Sequence, residues 1–318
     1  MSTQVVFLGP QRLSPTVAEA VRDYAPEVSS AGHIVTITAG WEERELEDQE
    51  LVEHLGGRVI NLELFRRAED VLQRDPELFA GYRRRDDRVR RLRRLYQLRL
   101  SHSLAAARAL LARRANAGGD DLLEHEIDDA IELVRVLDGQ HARRVREVHQ
   151  AFEEEWRPAE REGVAQHRHE LLQVLADAGA VFIAGGHVAV LLNRLRLFDL
   201  GPHLAGRPVF AWSAGAMALT ERVVVFHDSP PQGAGDPELF ELGLGLVPSV
   251  VALPHASRRL RLDDAVRVEL FARRFGPGPC VALDERSGLA WDGVEARPFD
   301  GTRLLFPDGH VGEEALAR

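Results

Sequence analysis

A chain of 318 residues with 45% hydrophobic content can bury one large α/β core with an elaboration, or two domains. The net charge of −10 argues against general nucleic-acid affinity, and all 40 basic residues are arginine, which excludes a Schiff-base lysine, a pyridoxal phosphate site and a Walker-A lysine. A single cysteine, Cys280, forbids an intramolecular disulfide and fits a reducing cytosol. With no apolar leader and no apolar run near about 18 residues, a cytoplasmic chain with no membrane span is expected.

The first 64 residues alternate short apolar runs with amphipathic ones. Gln4 to Gly9 reads as a buried strand, Val17 to Tyr24 as a helix and His33 to Ala39 as a second strand. Glu45 to Leu55 is a helix stopped by Gly56-Gly57, and Arg58 to Leu64 is a third strand. Such alternation indicates a parallel sheet covered on both faces, with ligands at the carboxyl ends of the strands. Gly40-Trp41-Glu42-Glu43 follows the second strand and should border any site.

From Phe65 to about Pro158 the strand signal is lost. Val89, Leu92, Tyr96, Leu100, Ser103, Ala107 and Leu110 keep a three–four spacing. It resumes after Ala117-Gly118-Gly119 with Leu123, Ile127, Ala130, Val134, Leu137, His141, Val145, Val148 and Phe152. Two long helices joined by a glycine turn should fold into an antiparallel hairpin over residues 65–157, projecting from an α/β domain made of 1–64 and 158–318. Arg83 to Arg94 is arginine-rich and Asp120 to Glu132 acidic, read as solvated, self-paired faces. His125-Glu126 is half of a zinc motif with Asp129 where the second histidine belongs, so no metal site is read. The narrow apolar seam leaves part of the hairpin uncovered, which predicts a homodimer or higher oligomer through it.

The α/β pattern returns with a helix from His167 to Ala178 and a strand from Ala180 to Ala184. Gly185-Gly186-His187 then presents backbone N–H groups before a helix from Val188 to Leu197. Val209 to Ala211 reads as the end of a buried strand, Ala214 to Thr220 as a helix, and Ser213 as the turn between them. This Ala-Trp-Ser-Ala-Gly is a nucleophile elbow with alanine in place of the first glycine. Arg222 to Phe226 is another strand, followed by a Pro/Gly-rich loop from Ser229 to Pro237. Cys280 to Leu283 is a strand leading into Asp284-Glu285, and Leu289–Trp291 and Thr302–Phe306 should be terminal antiparallel strands. A serine nucleophile needs a base and a group to orient it. His255 and Glu285 both lie just past buried strands on the side of Ser213, with His227-Asp228 as competing base and Asp284 as competing acid.

Gly185-Gly186, Trp212-Ser-Ala-Gly-Ala216, Leu242-Gly-Leu-Gly-Leu246, Pro254-His255 with Arg259 and Arg261, and Val281-Ala-Leu-Asp-Glu285 together resemble the dipeptidase E and cyanophycinase family of serine peptidases. The resemblance covers roughly residues 1–64 and 158–318. It implies a class I glutamine amidotransferase-like, flavodoxin-like, doubly wound and mostly parallel sheet with an inserted helical hairpin. It further implies Ser213 as nucleophile, His255 as base, Glu285 as orienting acid, and an oxyanion hole from the N–H groups of Gly186 and Ala214. Substrate would meet Gly185, His187, Arg259 and Arg261, with no metal and no cofactor. The sequence departs from the family at His187 (usually Asn or Asp), Ala256 (usually aromatic) and Ser287-Gly288 (usually Thr-Ala), all near expected substrate contacts. The expected activity is hydrolysis of a small peptide or isopeptide-like substrate, and serine in place of cysteine speaks against a glutaminase. The alternative is a catalytically silent member that binds a ligand or partner through the hairpin.

Overall fold

A computed structural model describes residues 4–29, 32–56, 58–114, 120–227 and 235–313. Gly57, Ala117-Gly118-Gly119, Asp228 and the Ser229–Ala234 part of the Pro/Gly-rich loop lie outside them. The chain runs β1 (Val5–Leu8), α1 (Val17–Tyr24), β2 (His33–Ile37), α2 (Gln49–Leu55) and β3 (Val59–Asn61). Three helices follow, α3 (Leu64–Arg74), α4 (Pro76–Arg114) and α5 (Asp121–Trp156). Then come α6 (Glu162–Ala176), β4 (Ala178–Ile183), α7 (Val188–Leu197), β5 (Val209–Trp212), α8 (Ala214–Leu219), β6 (Arg222–Val225) and β7 (Glu238–Leu242). The last third holds β8 (Val251–Pro254), α9 (Ala256–Arg259), α10 (Ala265–Phe275), β9 (Cys280–Leu283), β10 (Gly288–Trp291), β11 (Ala296–Pro298), β12 (Arg303–Leu305) and β13 (Val311–Gly312).

The main sheet has the order β11-β10-β1-β5-β4-β2-β3 and is parallel from β1 through β3, with β10 and β11 antiparallel at one edge. Its central strands are apolar on both faces because both are covered. Val5, Phe7, Val181, Ile183, Val209 and Ala211 point into one layer, and Val6, Leu8, Phe182, Phe210 and Trp212 into the other. Phe182 and Phe210 stack at 4.9 Å between ring centroids, each fully buried and worth about 1.5–3 kcal/mol of hydrophobic stabilisation. β8 and β9 do not join this sheet. They form a second, four-stranded one, β13-β12-β9-β8, while β6 and β7 make a separate ribbon. The α/β class with a mainly parallel central sheet and a long helical insertion is as expected.

The insertion differs in detail. A short helix, α3, comes first, and the chain breaks at Asp75-Pro76, where Asp75 Oδ1 accepts from Leu78 N at 2.9 Å and proline supplies the first residue of α4. α4 and α5 then pair along Tyr96, Leu100, Leu104, Ala107 and Leu111 against Leu123, Ile127, Ala130, Val134 and Leu137. The hairpin lies against the body rather than projecting from it. Leu239 of β7 and Leu270 of α10 join its core, and Asp138 of α5 accepts from Arg274 Nε at 2.7 Å and Tyr96 Oη at 2.7 Å in a buried cluster. Arg93 Nε and Gln97 reach Glu238, at 3.1 and 2.6 Å. Among the described residues no helix is long and apolar enough to cross a membrane.

Candidate active site

Ser213 closes the buried strand β5 at the middle of the sheet and stands at φ 53°, ψ −122°, a region that residues with a side chain rarely adopt. Such strain costs on the order of 1–3 kcal/mol and persists only where the surroundings impose it. They do so here by close approach. A Cβ on Gly215 would lie 2.3 Å from the Ile183 carbonyl oxygen, and one on Gly185 would lie 2.8 Å from Ser213 Cβ and 3.1 Å from its Oγ. The small residues read from sequence are therefore what lets the turn seat against β4 and its loop. Met217 N donates back to the Ser213 carbonyl at 3.2 Å, starting α8.

The glycine pair after β4 is held from the other side by the end of β2 and the turn that follows it. His187 N donates to Gly40 O at 2.7 Å, and Ala184 N to Ile37 O at 2.9 Å. Gly186 has φ +107°, and a Cβ there would fall 2.1 Å from Gly40 O. Among the described residues the N–H groups of Gly186 and Ala214 have no protein acceptor, which leaves both available to an anion. His187 is exposed and caps α7, its Nδ1 accepting from Val190 N at 3.3 Å.

His255 ends β8 in the left-handed region, φ 58° and ψ 36°; its N–H continues the ladder to Leu283 O at 3.0 Å. Burial, then the cations of Arg259 and Arg258, push its pKa below the usual histidine value, with Asp284 and Glu285 opposing. The neutral, proton-accepting ring is thereby favoured at neutral pH. Ser213 and His255 line one cleft of about 770 Å³ together with Gly185, Trp212, Trp41 and Arg12. Among the described residues no hydrogen bond joins Ser213 to His255, and catalytic hydrogen bonds commonly tighten only around substrate.

Among the described residues no hydrogen bond or ion pair joins either acid to the His255 ring. Glu285 is exposed and accepts from Arg258 at 3.3 Å. Asp284 accepts from Ser257 N at 3.0 Å, Ser257 Oγ at 2.6 Å and Arg303 at 2.9 Å, tying α9, which follows directly on His255, to the end of β9. Arg259 is exposed and has no carboxylate partner among the described residues. Arg261 pairs with Asp264 at 3.4 Å and lines a different, apolar cavity with Leu260, Phe271 and Arg108. His227 is not among the residues lining the Ser213 cleft.

One wall of the cleft escaped the sequence reading. Gln11 gathers the β1–α1 connection, its Oε1 accepting from Thr16 N at 2.8 Å and Val17 N at 2.9 Å while Nε2 donates to Gly9 O at 2.9 Å. This places Arg12 on the rim. The available signal was positional, since the connection follows the carboxyl end of a central parallel strand.

A family model described as Peptidase family S51 matches residues 137–298, about half of the chain and every proposed catalytic position. The chain belongs to peptidase family S51. It is a peptidase hydrolase of the serine-peptidase type. Among solved structures it is similar to a peptidase from an acI-B1 Actinobacterium, at 13% identity over 96% of this chain and 92% of that one with a TM-score of 0.48. It is also similar to a putative peptidase E protein from Listeria monocytogenes EGD-e, at 10% identity over 94% of this chain and 98% of that one with a TM-score of 0.45. No curated protein matches.

Proposed function

We propose that this S51 member hydrolyses a small peptide or isopeptide-like substrate with Ser213 as nucleophile and His255 as base. The observation that carries the reading is the strained Ser213 turn, packed over Gly185 and opening into the cleft that His255 also lines. The His255 ring takes the Ser213 hydroxyl proton as Oγ bonds to the scissile carbonyl carbon. The carbonyl oxygen becomes an oxyanion, for which the N–H groups of Gly186 and Ala214 are the donors. The C–N bond then breaks as His255 returns the proton to the leaving amine, and water, deprotonated by the same ring, releases the acyl group.

Glu285 takes the orienting role once its carboxylate leaves Arg258 for the His255 ring. The engaged state of both acids favours a second reading, a Ser213–His255 dyad in which Asp284 acts by holding α9 through Ser257. Gly185, His187 and Arg259 are the proposed substrate contacts. Arg259, which has no carboxylate partner among the described residues, suits a substrate carboxylate, whereas Arg261 is paired with Asp264. The test compares Glu285→Gln with Ser213→Ala on peptide turnover. The triad predicts a loss of several orders of magnitude for both, on the scale of triad removal. A Glu285→Gln variant within a few-fold of the parent supports the dyad, and full turnover by Ser213→Ala removes both readings.

A further inference from the structure

The hairpin carries a charge and apolar pattern that its own chain uses only in part. Residues 83–94 hold eight arginines against two aspartates, and residues 120–132 hold seven acids and no arginine. Some of these are paired, Arg93 with Glu238 and Asp128 with Arg273 of the body, and Arg85 with Asp86, Arg90 with Asp87, Glu124 with Arg114 and Glu132 with Arg135 within the hairpin. Arg84, Arg88, Arg91 and Arg94 are exposed with no carboxylate partner among the described residues, and Asp121, Glu126 and Asp129 are exposed with no basic one. The two sets cannot meet within one molecule. At about 1.5 Å per residue, Arg88 and the level of Asp129 stand roughly 30 Å apart along the hairpin, several screening lengths of about 8 Å at physiological salt.

Between them along the hairpin lie Leu95 and Leu98 of α4 and Leu133 and Val136 of α5, exposed by 56, 63, 66 and 46%. Four large apolar side chains on one helical pair form a patch rather than scattered exposure.

We propose that this outward face pairs two copies of the chain in antiparallel fashion, the arginine-rich base of one over the acidic tip of the other, with the leucine patch at the centre. A two-fold axis across the middle of the hairpin makes the contact self-complementary, as a closed dimer requires. The area suffices. Helix α4 alone has 39 residues, so two helices side by side offer about 1,000 Å² per copy, against about 800 Å² per partner in a standard interface. No residue of α4 or α5 is among those lining the Ser213 cleft, so pairing leaves the cleft open, and the inference stands apart from the catalytic reading.

The test is sedimentation equilibrium of the full chain at tens of micromolar. The expected mass is twice 35.4 kDa. Leu98→Glu with Leu133→Glu should give the single-copy mass with unchanged circular dichroism and unchanged labelling by a serine-reactive probe. Arg84→Glu with Arg88→Glu should weaken association at least tenfold, and adding Glu126→Arg with Asp129→Arg should restore it, a rescue that a misfolded variant would not show. A parent chain of single-copy mass, or a dimer indifferent to the leucine and charge changes, overturns the proposal.

Discussion

Gly40 is not a site residue by chemistry, yet its packing against Gly185 and Gly186 makes it one of the most sensitive positions in the molecule. Its φ is unremarkable, so alanine there carries no left-handed penalty and its whole effect is contact. A Cβ would stand 2.4 Å from the Gly185 carbonyl oxygen and 3.3 Å from Gly186 Cα. The Gly185–Gly186 loop must then withdraw by roughly 1 Å, and a misplacement of that size costs about a hundredfold in rate. Losing the Gly186 donor outright costs about 10²–10³ in kcat, or roughly 2.7–4 kcal/mol of transition-state stabilisation. The assay is the second-order rate of acylation by a fluorophosphonate, whose phosphoryl oxygen occupies the oxyanion position, alongside a thermal melt. Gly40→Ala should lower the rate by about a hundredfold. The control is Gly301→Ala, at φ +78° with nothing within 4 Å, which should lose about 1–2 kcal/mol of stability and no acylation rate. Gly40→Ala labelling at the parental rate would refute the idea that the turn after β2 holds the oxyanion loop in place.

Further expectations follow from the charges. The base form of His255 is the neutral ring, so turnover should fall as pH drops through its pKa, which burial, Arg259 and Arg258 hold below 6.5. Arg259→Gln removes one depressing cation and should move the midpoint of the acid limb of kcat/KM upward; an unmoved midpoint would show that the guanidinium does not act on the ring. Asp138→Ala strips the buried Arg274 and the Tyr96 hydroxyl of their acceptor and should cost about 3–5 kcal/mol, read as a lower denaturant midpoint at constant slope. A loss under about 1 kcal/mol would mean water replaces the carboxylate. Glu241, pushed up by burial but held down to about 2 by its hydrogen bond from His149 and by Arg196, should stabilise the fold above pH 4.5. That contribution is lost as pH falls from 4.5 toward 2, and Glu241→Gln should flatten this part of the stability profile.

What could be read from residues alone follows the physics of burial. β1, β2, β4 and β5 are covered on both faces, so each is a continuous apolar run, and the Ser213 elbow announces itself through small residues that its strain demands. β7 gave no such signal. Its Glu238 and Glu241 are answered by Arg93, Gln97 and His149 of the hairpin, roughly a hundred residues away or more, so the stretch was given no element. The break at Asp75-Pro76 was legible in principle, as a capping acid before a proline, but the three–four spacing runs on past it. Which carboxylate serves His255 was not legible, because it turns on where Ser257, Arg258 and Arg303 send their side chains.

The proposed nucleophile is Ser213. It is tested most directly by treating the full chain with a fluorophosphonate and locating the adduct by peptide mass spectrometry. One adduct is expected, on the peptide carrying Ser213, at a rate that falls with His255→Gln, and no adduct in Ser213→Ala. An adduct elsewhere, or a Ser213→Ala chain that still labels and still turns over peptide, would contradict it.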